Sequence, residues 1–438
     1  MIINENFGLN WKGKSEAIKE ISKKTKSKFQ VITDKKYINE NSKNIFIEGD
    51  NLDALKLMQK EYRQKIKMIY IDPPYNTGNN FIYSDDFSNK KKLTNKEYKN
   101  TDIEELINQN NINSASFHSD WLSMMLPRLY LSKNLLKPDG IIFISIDHRE
   151  NATLRLLMNS IYGEENFIGE FIWHNRTTPN YSKKNFAIDH EYILAYSKNA
   201  ELCNFKGVNK DFSKYKNPDK DKNGAWIAYN PSAASGSESY KFPIENPFTN
   251  EIYYPPKGRF WAFAPKRIKE WTKSGKLVFP KTSGKRFLLK KYLKELKSYK
   301  KPTSSIIKNI LTLHGTKELK EIFDAGSPFK YAKPTSLIQF LIEQCTENQD
   351  IVMDFFAGSG TTAHAVLKSN IESGIKKSFI IVQIPKQITE NSTIFKSGYK
   401  KITDITEKRI NSVIDSYLNS FDNKNNAFDL NYKYYKII

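Results

Sequence analysis

The run Asp72-Pro73-Pro74-Tyr75 combines residue types that can do chemistry. It ends the apolar segment Lys67–Asp72 (KMIYID), which reads as a strand buried on both faces. Two prolines fix φ, offer no N–H and cannot continue a sheet, so the strand must stop. The stop leaves a carboxylate, a rigid carbonyl and an aromatic ring at the C-terminal end of a strand, where α/β sheets bind ligands. Such a set suits an exocyclic amine such as adenine N6, a poor nucleophile because its lone pair is delocalised into the ring. The Asp72 carboxylate and the Pro73 carbonyl can accept its two N–H groups, and Tyr75 can stack on the base. Stacking is worth roughly 1–3 kcal/mol per base, against the few kcal/mol needed to extrude one. The plain alternative is a strand-ending turn without a ligand.

A second candidate lies far along the chain, at Asp354-Phe355-Phe356-Ala357-Gly358-Ser359-Gly360-Thr361-Thr362. It follows the short apolar strand Ile351–Phe355 and opens a helix over Thr361–Ser369. Glycines let backbone N–H groups approach a ligand, and a helix N-terminus carries partial positive charge. A nucleotide or an amino-acid carboxylate fits such a turn. Gly360 is followed by Thr-Thr, so the lysine of an ATP P-loop is missing. Ala363 stands where the dinucleotide pattern has its third glycine, and alanine is tolerated there, so NAD stays open on this motif alone.

The elements that must position these residues alternate. Strands are expected at Asn44–Asp50, Lys67–Asp72, Gly140–Asp147, Phe167–His174 and Tyr192–Ser197, with helices at Asp53–Tyr62, 119–136 and Arg149–Tyr162. That alternation predicts an α/β, doubly wound, Rossmann-like sheet. Residues 1–43 read as a loose arm with a helix at Ser15–Lys24. Residues 76–115 are rich in Asn, Lys and Ser and read as a long loop. The pattern covers 44–200, stops over 201–325, which read as an inserted domain, and resumes over 326–438.

The 438 residues carry a formal net charge of +21. The excess is concentrated: between Lys257 and Lys308 stand 17 Lys and Arg against two acids, Glu270 and Glu295. Trp261, Trp271 and Tyr292 are interleaved with the charge, which points to a polyanion such as nucleic acid. Arg259, Lys266, Arg267, Lys285, Arg286, Lys290 and Lys291 are the candidate contacts. A solvated helical face is the alternative, since KRFLLKKYLKELKSYKK has helix-like spacing. Two cysteines cannot build a disulfide framework, and the six scattered histidines have no metal-ligand spacing, so no metal is expected. No stretch has the apolar length of a membrane span, and the N-terminus lacks a signal pattern, so the expectation is a cytoplasmic protein.

Together the two motifs resemble the amino-methyltransferases of DNA. Asp-Pro-Pro-Tyr precedes the Gly-rich turn by 282 residues, an order that resembles the β class with a target-recognition domain between. Weaker features extend the likeness: Glu48-Gly49-Asp50, Trp121 with Pro127-Arg128, Asp139-Gly140 with Ser145-Ile146-Asp147, His190-Glu191-Tyr192, and Tyr331-Ala332-Lys333-Pro334. Pro255-Pro256, Gly258-Arg259, Trp261, Gly398-Tyr399-Lys400 and the segment Asp429–Ile438 are similar to the modification subunits of type III restriction–modification systems.

The resemblance implies S-adenosylmethionine as methyl donor. It implies that Asp50 meets the donor's adenine, that Phe356, Gly358 and Gly360 line its methionine part, that Lys333 and Ser336 sit near its carboxylate, and that Asp354 and Thr361 belong to the same cofactor site. Phe356 could also face the sulfonium. Double-stranded DNA, a homodimer and a separate restriction subunit are the implied partners. Gln383 stands where many methyltransferases place a ribose-binding acid, and Lys386 where related modification subunits often carry Glu. N4-cytosine methylation, methylation of RNA or protein glutamine, and a catalytically idle DNA-binding module are the competing readings.

Overall fold

The computed structural model describes residues 8–77, 117–177, 186–324, 326–329, 331–420 and 428–438. Most of the loop expected at 76–115 lies outside them. The chain forms two compact units, Met1–Lys206 with Ser304–Ile438, and Gly207–Thr303.

In the larger unit ten strands share one sheet: β1 (Phe29–Ile32), β2 (Ile45–Glu48), β3 (Ile66–Ile71), β4 (Leu136–Ile146), β5 (Phe167–His174), β6 (His190–Ser197), β7 (Ile306–Ile307), β8 (Ile351–Asp354), β9 (Ser378–Gln383) and β10 (Lys433–Ile437). Their order is β1-β10-β2-β9-β8-β3-β4-β6-β5-β7. The six strands from β10 to β4 run parallel, while β1, β6 and β5 join antiparallel. The expected doubly wound α/β sheet is therefore present, with an antiparallel extension.

Among the described residues the helices of this unit are α1 (Lys14–Ser22), α2 (Asn51–Met58), α3 (Phe117–Leu135), α4 (Asn151–Tyr162), α5 (Thr312–Ile322), α6 (Thr335–Cys345), α7 (Thr361–Ser373) and α8 (Ile402–Ser420), besides short turns at Glu164–Asn166, Ala200–Leu202 and Thr393–Lys396. One core gathers α1 to α4 on one face of the sheet, and a second gathers α6, α7 and α8 on the other. Every residue of β3 is buried: Ile66, Ile69 and Ile71 enter the first core, Met68 and Tyr70 the second. That two-sided burial explains its uninterrupted apolar run.

Two expected boundaries move. Residues 8–43 are built into the unit rather than forming a loose arm. Ala17, Ile18 and Ile21 of α1 pack on the first core, Trp11 Nε1 donates to Ser123 Oγ (2.9 Å), and β1 pairs with β10. The insert is shorter than 201–325, because β7 pairs with β5 and α5 belongs to the larger unit.

The smaller unit has its own core of Ile244, Trp261, Phe263, Leu277, Phe279, Phe287 and Leu289. Its main sheet pairs 277–278, 288–292 and 226–229, and one helix spans Lys266–Lys273. The segment with helix-like spacing is thus a strand at Leu288–Tyr292, held by antiparallel pairing to Trp226–Tyr229.

Gly49 joins β2 to α2 beneath the last strand. Its N–H donates to Gln383 O (2.9 Å), and a Cβ at this position would stand 2.6 Å from Ile437 Cβ. Gly49→Ala is expected to destabilise the larger unit by about 1–3 kcal/mol. Urea denaturation should show a lower midpoint with an unchanged slope.

Candidate active site

Strand β8 lies parallel beside β3, with Val352 opposite Met68 and Met353 opposite Ile69. From β3 the chain moves through α3 to β4 on one side, and from β8 through α7 to β9 on the other. This reversal is a topological switch point, where a crevice opens at the C-terminal strand ends. Asp72 and Asp354 sit at those two ends, although 282 residues separate them.

The turn after β3 is tied down on several sides. Trp121, fully buried on α3, donates from Nε1 to Pro74 O (2.7 Å). Asn76 is left-handed at φ 55° and buried, and its amide donates to Phe117 O (3.0 Å) and to Glu150 Oε1 (2.6 Å). Tyr75 directs its hydroxyl to Glu191 Oε2 on β6 (2.9 Å), and Asn175 Nδ2 holds the other Glu191 oxygen (2.8 Å).

Lys333, just before α6, reaches both oxygens of Asp72 at 2.8 Å. Its ammonium also lies 3.5 Å from Glu191 Oε2 and 4.8 Å from the centre of the Tyr75 ring. Burial disfavours its charge, but Asp72 and Glu191 outweigh that and hold Lys333 protonated beyond its ordinary range. Burial pushes the Asp72 carboxyl above its ordinary value, with the Lys333 ammonium working against the rise. The expectation that Lys333 meets a cofactor carboxylate has no support here, because its ammonium is engaged by Asp72 and Glu191. Ser336 stands half-buried in the first turn of α6.

The Gly-rich turn folds on itself. Asp354 is buried, accepts from the Phe356 N–H (2.9 Å) and from Thr362 Oγ1 (2.6 Å), and so shapes the turn. Burial lifts its carboxyl to about 7 in spite of those donors. Gly358 and Gly360 have φ of 52° and 82°, which a side chain resists. Among the described residues a Cβ on Gly358 would meet only Phe356 O, at 3.9 Å, an ordinary contact that does not crowd it. The Gly358 N–H itself is spent on Gln383 Oε1 (2.7 Å). Gln383 therefore closes the turn from β9. Phe356 is half-buried against Phe355.

Asp50 caps α2, accepting from the Leu52 and Asp53 N–H groups (2.8 and 3.1 Å). Its other oxygen lies 3.4 Å from Arg128 and its side chain is 42% exposed, so it can still reach a ligand. The neighbouring Asn51 joins this corner to the turn, donating to Phe355 O (2.8 Å).

Sequence reasoning missed Arg409 on α8. It is fully buried and donates to Ser359 Oγ (2.9 Å), Thr361 Oγ1 (2.8 Å), Thr335 Oγ1 (2.9 Å) and Glu318 Oε2 (2.9 Å). It therefore binds the Gly-rich turn to the start of α6, next to Lys333. Burial lowers its guanidinium to about 10, with Glu318 opposing. His364 is driven well below its ordinary range by burial and by Arg409, so it is neutral and its Nδ1 can accept from Arg409 Nε (3.3 Å). One lysine or arginine in a basic composition gives no sequence signal for such a role.

Of the candidate DNA contacts in the smaller unit, Lys266, Arg267, Lys285 and Arg286 are exposed. Lys291 is half-buried over the Tyr229 ring (5.1 Å). Arg259 is engaged with Ser232 through Nε and Nη2, both at 2.8 Å. Lys290 is a correction: it is 4% exposed and pairs with Asp219 and, at 2.6 Å, with Asp221. Its hydrogen bond holds the Asp221 carboxyl far below the usual range. Lys290 is an internal cation of the fold rather than a contact for phosphate. Among the described residues no His, Cys, Asp and Glu cluster could hold a metal, and no helix is long and apolar enough to cross a membrane.

A family model described as DNA methylase (N6_N4_Mtase) matches residues 66–396, which include both motifs. The Escherichia coli type III restriction-modification enzyme EcoP15I Mod subunit is 34% identical over 93% of this chain and 69% of its own length. The Klebsiella pneumoniae type II methyltransferase M.KpnI is 33% identical over 86% of this chain and 88% of its own. The chain spans 69%, 61% and 70% of three type III Mod subunits. Solved structures are more distant: a Thermus thermophilus DNA modification methylase complexed with S-adenosyl-L-methionine is 12% identical at a TM-score of 0.38, over 84% of this chain and 96% of that one. The family match spans the crevice and both motifs that build it, and the chain belongs to the N6/N4 DNA methylase family.

Proposed function

We propose that this chain transfers a methyl group from S-adenosylmethionine to the N6 amino group of adenine in duplex DNA, with the target base flipped onto Tyr75. The observation that carries the reading is the pairing of β3 with β8. It brings the Asp72–Tyr75 turn and the Gly-rich turn side by side at one switch point, which supports an amine site beside a cofactor site. The uncrowded Gly358 and the half-exposed Asp50 carboxylate fit a nucleoside joined to an amino acid. Asp50, Phe356, Gly358 and Gly360 are the residues to hold it, with Asp354 and Thr361 shaping the turn from behind. When bound, S-adenosylmethionine supplies an electrophilic methyl group on a sulfonium.

The chain's own residues do the rest. A carboxylate has about four acceptor positions. Lys333 takes two on Asp72, which leaves acceptors for an amine N–H, while the Pro73 carbonyl takes the other N–H. Held this way, the nitrogen lone pair is directed out of the base plane. As the N–C bond forms and the methyl–sulfur bond breaks, positive charge grows on that nitrogen beside Asp72, until the nitrogen gives up a proton to water. The aromatic face of Tyr75 replaces the stacking that the flipped base gives up.

The smaller unit, with its exposed Lys266, Arg267, Lys285 and Arg286 and its half-buried Lys291, fits a target-recognition domain. A homodimer and a separate restriction subunit belong to the same reading by likeness to type III Mod subunits. Light scattering of the purified chain, alone and with DNA, tests the dimer.

Two measurements test the reading. Labelled DNA digested to nucleosides should yield N6-methyladenine; N4-methylcytosine in its place would transfer the chemistry to cytosine. Asp72→Ala should lower the rate by about 10²-fold or more, with S-adenosylmethionine affinity kept. For DNA binding, each phosphate contact contributes about 0.9 to the salt slope. Lys285→Ala with Arg286→Ala should therefore reduce the slope by up to about two. Lys290→Met should leave the slope alone and lower the melting temperature instead.

A further inference from the structure

We propose that Glu191 is a positioning residue for the reacting centre: through the Tyr75 phenol and the Lys333 ammonium it fixes the aromatic face and the Asp72 carboxylate in one arrangement, and it sets the net charge beside the target amine. The inference rests on the role given above to Asp72 and Tyr75.

Glu191 belongs to β6, which lies beyond β4 from β3 and runs antiparallel to it. One of its oxygens accepts from Tyr75 and faces Lys333, and the other is held by Asn175. The carboxylate cannot turn without breaking one of these contacts. A ring that stacks on a base must be held in place, and a hydrogen bond at its far end anchors it. Lys333 has three N–H donors. Two reach Asp72 and the third side faces Glu191, so the ammonium is held from both sides.

The charges lead to the same residue. Asp72, Glu191 and Lys333 sum to one negative charge. Methyl transfer moves positive charge from the sulfonium onto the amine nitrogen, next to this cluster. A fixed net negative site stabilises that shift, and without Glu191 the cluster is neutral.

The test is single-turnover methylation with radiolabelled S-adenosylmethionine and DNA from a methylation-deficient host, run across pH. Glu191→Gln should lower the rate at least about tenfold and keep S-adenosylmethionine affinity within about twofold. The groups facing Asp72 are Lys333, Glu191, Tyr75, Tyr70 and Asp354. The Glu191 charge raises the carboxyl of Asp72 and the ammonium of Lys333. With glutamine there, Asp72 ionises at lower pH and Lys333 loses its proton at lower pH, so both limbs of the pH–rate profile move down. Tyr75→Phe added to Glu191→Ala should cost less than Tyr75→Phe alone, because alanine has no acceptor and the same hydrogen bond is already cut.

A Glu191→Gln rate within about twofold of the parent overturns the proposal, as does a lowered rate with unmoved limbs. Should this variant bind S-adenosylmethionine poorly, Asn175→Ala carries the test, since it frees one Glu191 oxygen and keeps the charge. A rate loss with unmoved limbs then supports the positioning, and a parental rate overturns it. A parent chain that labels no DNA, or an Asp72→Ala chain that labels as well as the parent, sinks the methyltransferase reading instead.

Discussion

Strand β8 runs parallel against β3, and the chemistry of the larger unit depends on that pairing. Each strand ends in a turn that cannot continue the sheet: two prolines after one, a glycine-rich reversal after the other. Because the chain leaves the two strands in opposite directions, the two turns open on a single crevice. A shift of β8 by one residue would exchange the faces of Val352 and Met353, which enter different cores, so burial locks the register.

The crevice is rich in charge, and the fold meets the cost of burying it by pairing. Uncompensated ions in an interior cost several kcal/mol each. Asp72 is matched by Lys333, Lys333 is shared with Glu191, and Arg409 is matched by Glu318 and a ring of hydroxyls. Among the described residues Asp354 meets two hydrogen-bond donors and no cation, and its carboxyl rises towards neutrality accordingly. The partners come from elements far apart in the chain: β3, β6, the start of α6 and α8. Packing of the two cores is what brings these groups to hydrogen-bonding distance.

The basic stretch of the smaller unit shows how composition divides once a fold exists. Lys285 and Arg286 stay in solvent, Arg259 serves Ser232, and Lys290 turns inward between two aspartates. Lys290 lies two positions from Tyr292, and in a strand that spacing places both on one face, towards Asp221. The helical reading of the same letters spreads these charges over a solvated face, and so gives no reason for an inward lysine.

The sequence by itself determined the local pieces. KMIYID has to be a doubly buried strand, Asp72–Tyr75 has to stop it, and the glycines at 358 and 360 have to turn the chain, because apolar runs, locked φ values and missing side chains act within a few residues. It also placed Asp50 and Trp121 among residues worth watching through family likeness. It could not assign Lys333, Gln383, Glu191 or Arg409 their partners. Each of these is a polar residue of ordinary type whose work depends on a group between 25 and 261 positions away. Only the tertiary structure decided those pairs, since a charge is directed by the nearest opposite charge in space, and that neighbour exists only after the strands have been ordered.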